Sequence, residues 1–420
     1  MRTRVMNETK LRRVRPRGLR ACLCCLAVGL ALAGCAPPPP PPPLFYPPLP
    51  QRPRIQFLRQ LNTSQDVAAP VGSFRAFVLG KESGEHVIPI SRPYGMVMDQ
   101  GKLYVCDSGS HRVVVLDFKN RRFETFGDKG QAKLRTPINI CLGPDGEKYV
   151  CDTALGAVVV FDGNNKLLYT FRREEGFKPS DVLWRDGELY VADLKANAIL
   201  VLDPKTGRLL RQIGKAGKEP GEFYFPTNLA IGPKGHLYVS DTMNARVQVL
   251  DKSGKPIRTI GQRGMLIGDM IRPKGIAVDR EGRLYVADAA PQTVQIYDKD
   301  DKLLFMLGAS ESEIGDAGTL TLPAKVILSY EGIEYFSRYV SPDFQVELLI
   351  FVSSQFAPQK ITVYGLGKYL KPLPESADQI GPRIIKVGPP KVPEGAEKKA
   401  PPPDGSEETP PTPAPKSGEK

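Results

Sequence analysis

Histidine and tryptophan are nearly missing from this chain, which has three histidines and one tryptophan in 420 residues. His86, His111 and His236 share neither a helical i,i+4 spacing nor an equivalent place in any repeat, which argues against a histidine-based zinc site. There is no Gly-x-Ser-x-Gly elbow and no phosphate-binding loop. Cysteine is scarce in the body of the chain, where only Cys106, Cys141 and Cys151 remain once the first 35 residues are set aside. That odd number excludes a fully paired disulfide framework. Cys106 and Cys151 stand in a slot that other copies of the same segment fill with Ala192, Ser240 and Ala287, so they read as small packed residues. Cys141 and Cys151 flank one hairpin, which leaves a disulfide open in an oxidising compartment.

One apolar run, residues 21–33, is too short to be a permanent bilayer span. A basic stretch (Arg12, Arg13, Arg15, Arg17, Arg20) precedes it, and Leu32-Ala33-Gly34-Cys35 ends it, the layout of an export signal. This resembles the lipobox of bacterial lipoproteins, which implies that residues 1–34 are removed and that Cys35 carries the lipid anchor. An ordinary signal peptide or an uncleaved anchor is the alternative. Ala36, where an Asp would favour inner-membrane retention, points by the same resemblance to the outer membrane of a two-membrane cell. The signal also holds most of the basic charge. Residues 1–34 contribute +7 of the formal +12, which leaves +5. Nucleic acid is therefore not an expected partner.

Residues 35–53 read as a spacer, with seven consecutive prolines at 37–43 that favour extended polyproline II. Residues 54–370 hold the folded body. Residues 371–420 are rich in Pro, Lys and Glu, cannot bury enough apolar surface to offset their ordering entropy, and read as a disordered tail.

The body repeats itself. Leu103-Tyr-Val-Cys-Asp107, Lys148-Tyr-Val-Cys-Asp152, Leu189-Tyr-Val-Ala-Asp193, Leu237-Tyr-Val-Ser-Asp241 and Leu284-Tyr-Val-Ala-Asp288 are near copies, their aspartates 45, 41, 48 and 47 residues apart. Upstream of each, a proline (Pro93, Pro137, Pro179, Pro226, Pro273) opens an apolar strand, and a Gly-containing turn joins the two. An alternating strand and a fourth strand ending in Gly follow. A four-stranded unit with this period predicts a propeller blade. The pattern resembles the NHL repeat, most clearly at Asp107-Ser-Gly-Ser-His-Arg112 and Asp241-Thr-Met-Asn-Ala-Arg246. Trp184 lies outside the Trp-Asp context that WD repeats carry. The resemblance covers about residues 90–367.

A distorted sixth unit opens at Leu322-Pro323, continues through Leu348-Leu-Ile-Phe-Val-Ser-Ser354, and replaces the repeat aspartate with Ser353 or Ser354. An aromatic-rich insertion at about 330–347 suits either a partner or the closing edge of the ring. The expected fold is all-β: a six-bladed propeller of four-stranded antiparallel blades, closed by an N-terminal strand. Residues 55–61 are the preferred closing strand, with 74–80 as the alternative.

The five repeated aspartates look catalytic, yet a residue present in every blade serves the blade, as an acceptor for backbone N–H groups in the following turn. Asp107 and Asp241 also have Arg112 and Arg246 as possible partners. Departures from the repeat are more informative. Two residues after each opening proline the ring reads Gly95, Asn139, Asp181, Asn228, Gly275, Lys325. Asn139, Asp181, Asn228 and Lys325 are the candidate ligand-binding residues, and the first three, at one mouth of the channel, are the candidate Ca²⁺ residues. Lactonase-type propellers, by resemblance, hold an axial metal with Glu, Asn and Asp. One carboxylate is a thin complement for a divalent ion, and Lys325 opposes it.

The sequence thus supports an envelope-anchored, monomeric, non-enzymatic scaffold. It would touch the membrane through its N-terminal lipid, need no cofactor, and bind a protein, peptide or polysaccharide of the envelope. The alternative is a metal-dependent hydrolase or lactonase at the channel mouth. Fold alone does not choose between them.

Overall fold

In a computed structural model of the protein, residues 42–67, 87–173, 176–308, 318–356 and 358–373 are described. The export segment, Cys35, His86, the alternative closing strand at 74–80 and nearly all of the tail lie outside the described residues.

Five four-stranded antiparallel sheets follow one another along the chain. The first is typical: Pro93–Asp99, Lys102–Asp107, Arg112–Asp117 and Arg122–Phe126, running from the inside of the ring outward. The inner strands of the next four blades are Pro137–Leu142, Pro179–Arg185, Pro226–Ile231 and Pro273–Val278. The sixth sheet is built from Pro323–Ser329, Phe344–Ser354 and Ile361–Tyr369, and the strand Ile55–Leu61 pairs antiparallel with the last of these, from Ile55↔Leu366 to Leu61↔Ile361. The preferred N-terminal strand therefore closes the ring, and the inner strands touch all the way round, Pro323–Ser329 against Pro93–Asp99 included. A further short strand, Phe45–Tyr46, pairs with Ile55–Leu61. It falls inside the stretch expected to be spacer. Phe45 is buried against Phe344 and Tyr369, so the folded body begins there rather than at residue 54.

The Leu-Tyr-Val-x-Asp copies follow from the side-chain period of two in a strand that has a neighbouring blade on each face. In blade one, Leu103 and Val105 point back into the seam with blade six, while Tyr104 and Cys106 point forward into the seam with blade two. Blade four repeats the division, with Leu237 and Val239 behind and Tyr238 ahead. The outer strands are half covered and alternate instead: Leu168 and Ile257 stand exposed beside buried Phe171 and Ile260. Among the described residues, most buried apolar side chains fall into six clusters, one at each seam. Lys148 takes the leucine slot in blade two and is buried. Its ammonium donates to the carbonyls of Gly146, Asp162 and Gly163 at 3.0, 2.8 and 3.1 Å.

The insertion in blade six serves the ring closure. It carries a short helix, Ile333–Phe336, whose Phe336 is buried on Phe118 of blade one and on Phe351. Tyr335 stacks on Phe118, and Tyr339 lies under the Arg59 guanidinium of the closing strand. These aromatics seal the seam between the first and last blades. The hairpin turns within blades and this insertion define the lower face. The turns after each repeat aspartate and the loops linking blades define the upper face.

Candidate functional site

Every inner strand shifts register just after its opening proline, as between Pro137 and Asn139, Pro179 and Asp181, or Pro323 and Lys325. A bulge of this kind re-aims the side chain that follows it. The second residue after the proline is thereby placed where neighbouring inner strands crowd the axis. Glycine fits in blades one and five because the next blade leaves no room for more: a Cβ on Gly95 would lie 2.0 Å from Asn139 Oδ1, and one on Gly275 would lie 2.4 Å from Lys325 Cα.

The four polar residues of this ring are brought together, but buried rather than open at a mouth. Asn139 and Asn228 are fully buried, Asp181 is 2% exposed and Lys325 8%. Each of the first three bonds to a neighbouring blade. Asn139 Nδ2 donates to the Ser180 carbonyl at 2.6 Å. Asp181 Oδ2 accepts the Leu229 N–H at 2.8 Å and Asn228 Nδ2 at 3.2 Å, while Oδ1 accepts the Val182 N–H at 2.9 Å. Lys325 then crosses the channel. It belongs to blade six, three blades on from Asp181 in a ring of six, and its Nζ lies 2.9 Å from Asp181 Oδ2.

This geometry sharpens the expectation that Lys325 merely opposes a cation. Its ammonium lies on the carboxylate oxygen that a metal would need, and a buried ion pair with added hydrogen bonds is the arrangement that offsets desolvation of both charges. Two acceptors are left over. Asn139 Oδ1 and Asn228 Oδ1 are buried without a hydrogen-bond donor among the described residues. Tyr94 and Lys274, one position nearer the upper face, complete the surroundings; Lys274 Nζ lies 5.4 Å from the Tyr94 ring centre. Burial, and then the Asp181 charge, push the Tyr94 hydroxyl up to about 12. Burial and nearby Arg272 lower the Lys274 ammonium. Sequence reasoning missed both residues, because they precede the ring position at which the repeat visibly changes.

The repeated aspartates are scaffold, with one correction to their partners. Their main bonds go to the backbone ahead of the opening proline, not to the turn that follows. Asp152 accepts the N–H groups of Arg135 and Thr136 at 2.6 and 3.0 Å, and Asp288 those of Ile271 and Arg272, both at 2.8 Å; a third bond reaches the following turn at Leu155 and Ala290. Each aspartate thus pins the loop entering its own blade. Asp241 pairs with Arg246 at 2.8 Å, whereas Arg112 reaches the Pro89 carbonyl instead of Asp107. In blade six the aspartate position opposite Pro323 is held by Ser354, which retains one such bond, from Thr321 N–H at 3.3 Å. Cys141 and Cys151 do not pair. Cys151 faces Asn139 across the hairpin and Cys141 faces Tyr149, and all three described thiols are free, their ionisation driven upward by burial. His111 contacts the Arg135 carbonyl. Among the described residues no three His, Cys, Asp or Glu side chains converge as a metal-binding group.

The NHL repeat model matches residues 91–116, 223–250 and 271–297, and a model described as a 6-bladed beta-propeller matches residues 168–236. The chain is an NHL-repeat six-bladed β-propeller. No curated protein matches it by sequence. Solved structures similar to this NHL propeller include a streptogramin B lyase (13% identity, 67% of this chain and 85% of that one, TM-score 0.46). Another is a hydrazine synthase of Kuenenia stuttgartiensis (18%, 70% and 100%, 0.46), and a third a gluconolactonase of Xanthomonas campestris (16%, 79% and 100%, 0.47). None of these likenesses carries the other protein's chemistry to this NHL propeller.

Proposed function

We propose that this NHL propeller is a lipoprotein, held at the cell envelope through a lipid on Cys35, whose ring acts as a non-enzymatic scaffold for an envelope protein, peptide or polysaccharide. The observation that carries this reading is the Lys325–Asp181 pair. It ties up the one carboxylate on the axis, where a propeller enzyme would gather its reactive groups, in a buried ion pair with an ammonium. The export signal and lipobox of the sequence supply the location, with the outer membrane favoured in a two-membrane cell.

Two results are expected in cells. Cys35→Ser abolishes lipid labelling and moves the protein out of the membrane fraction. Crosslinking of the wild-type chain followed by mass spectrometry recovers a recurrent envelope partner. Labelling that survives Cys35→Ser refutes the anchor, and repeated crosslinking without any envelope partner refutes the scaffold.

A second reading, a metal-dependent hydrolase or lactonase using Asn139, Asp181 and Asn228, draws its support from the two unpartnered amide oxygens. It requires Lys325 to leave Asp181.

A further inference from the structure

Two inter-blade loops on the upper face share one design. In loop 214–225 a parallel bridge joins Ala216 to Phe223, Phe223 is fully buried, and the Glu222 carboxylate accepts the Glu219 N–H at 3.2 Å. In loop 261–272 the bridge joins Arg263 to Met270, Met270 is fully buried, and the Asp269 carboxylate accepts the Leu266 N–H at 3.0 Å. Position for position, the tip of the first loop reads Lys218-Glu219-Pro220 and that of the second Met265-Leu266-Ile267. The frame therefore holds its shape with a polar tip and has no use for apolar residues there. Yet Met265, Leu266 and Ile267 are 76%, 77% and 57% exposed, three large apolar side chains in a row held out in water.

The surface beside them is apolar as well. Arg263 ties the loop to the Met243 carbonyl, the Met243 N–H donates to the Tyr224 carbonyl at 3.0 Å, and Met243, Tyr224 and Phe225 are all exposed. Exposed Lys218, Arg263 and Arg272 flank the tip, and exposed Arg92, Arg135 and Lys178 stand just before inner strands around the same face. Arg211–Glu188, Arg258–Asp301 and Arg283–Asp279 pair on the lower side, and Lys215–Glu222 and Arg246–Asp241 on the upper. Acidic residues of the described upper loops, Asp128, Glu219, Glu222 and Asp269, temper the positive charge, so insertion of the tip must supply most of any binding.

The N-terminus meets this same face. Ile55–Leu61 runs upward beside Ile361–Tyr369, and Phe45–Tyr46 runs antiparallel to it, so the chain arrives from the upper side. The Leu44 carbonyl accepts the Phe57 N–H at 2.9 Å, and Leu44 lies close to Gly318, in the upper loop that leads into blade six. Eight residues separate Cys35 from Leu44, and in extended polyproline form at about 3 Å each they reach ~24 Å. A lipid on Cys35 thus holds the upper face within reach of the bilayer.

We infer that the Met265–Ile267 tip inserts into the interface of an anionic lipid bilayer, so that the propeller lies upper face down on the membrane that anchors it. Apolar side chains rimmed by cations are the chemistry of a reversible membrane contact. The orientation rests on the lipoprotein reading, but the contact itself does not.

The test uses unlipidated chain from residue 36 onward, which keeps every described residue, so failure of the contact and failure of Cys35 acylation are read separately. The chain is expected to float with phosphatidylglycerol–phosphatidylethanolamine vesicles, and less with phosphatidylcholine vesicles. Exchanging the tip for that of the neighbouring loop (Met265→Lys, Leu266→Glu, Ile267→Pro) preserves the frame and is expected to weaken flotation by about tenfold or more. Leu266→Trp is expected to shift its emission to the blue when anionic vesicles are added. Absence of flotation, equal flotation of the exchanged loop, or equal binding to neutral vesicles overturns the inference. Sedimentation of the free chain as a dimer that the exchange disperses would also overturn it and give the patch to a second copy.

Discussion

Asp181→Ala is expected to destabilise the propeller by roughly 3–5 kcal/mol, read from urea unfolding, because it strands a buried charge. One carboxylate oxygen receives the Lys325 ammonium, the Asn228 amide and the Leu229 N–H, so its removal leaves three donors in the wall of the channel without their acceptor. The same logic makes the loss non-additive. Combining Asp181→Leu with Lys325→Met replaces the pair with apolar groups and is expected to recover most of the stability, since a buried ion pair often does no better than a hydrophobic replacement. If Asp181→Ala costs less than about 1 kcal/mol, the level of an exposed pair, the cross-channel contact is not a structural tie.

The second large effect concerns closure. Ile55 is fully buried in the seam between blades five and six, and Leu61 in the seam between six and one, so one strand of seven residues locks two interfaces. Ile55→Ala and Leu61→Ala are each expected to cost roughly 2–5 kcal/mol, the range for emptying a packed core position. Removing everything before residue 63 exposes the outer edge of Ile361–Tyr369 and both seams. The shortened chain is expected to lose its cooperative thermal transition and to aggregate through the unpaired edge. A shortened chain that stays monomeric with an unchanged melting temperature would show that the ring does not depend on this strand.

Much of the fold was legible because a blade is a local object. Tyr104 and its copies at 149, 190, 238 and 285 mark a strand covered on both faces, and that signal survives within each repeat. The closing strand was legible for the same reason: residues 55–61 have the pattern of a blade strand and no blade of their own. The site was only partly legible. Asn139, Asp181, Asn228 and Lys325 stood out as departures from glycine, but their relation depends on the ring, which is not a local property. Counting blades was the usable signal, since opposite charges three blades apart in a ring of six face each other across the axis. Arg112 was misassigned because the repeat specifies its position, while the backbone of residue 89 specifies its partner. The apolar tip became visible only when loops 214–225 and 261–272 were aligned on a shared frame.

Lys325 fills the place where a cation would sit, and calcium titration followed by thermal unfolding reads this out. At 1 mM Ca²⁺ a site of 10 μM affinity would add about 2.7 kcal/mol and several degrees to the melting temperature. The wild-type chain is expected to shift by less than about 1 °C, and the variant that frees Asp181 of its ammonium, beside the already unpartnered amide oxygens of Asn139 and Asn228, is Lys325→Met. A rise of several degrees in the wild type that Asp181→Asn abolishes would contradict the account and return the axis to metal chemistry.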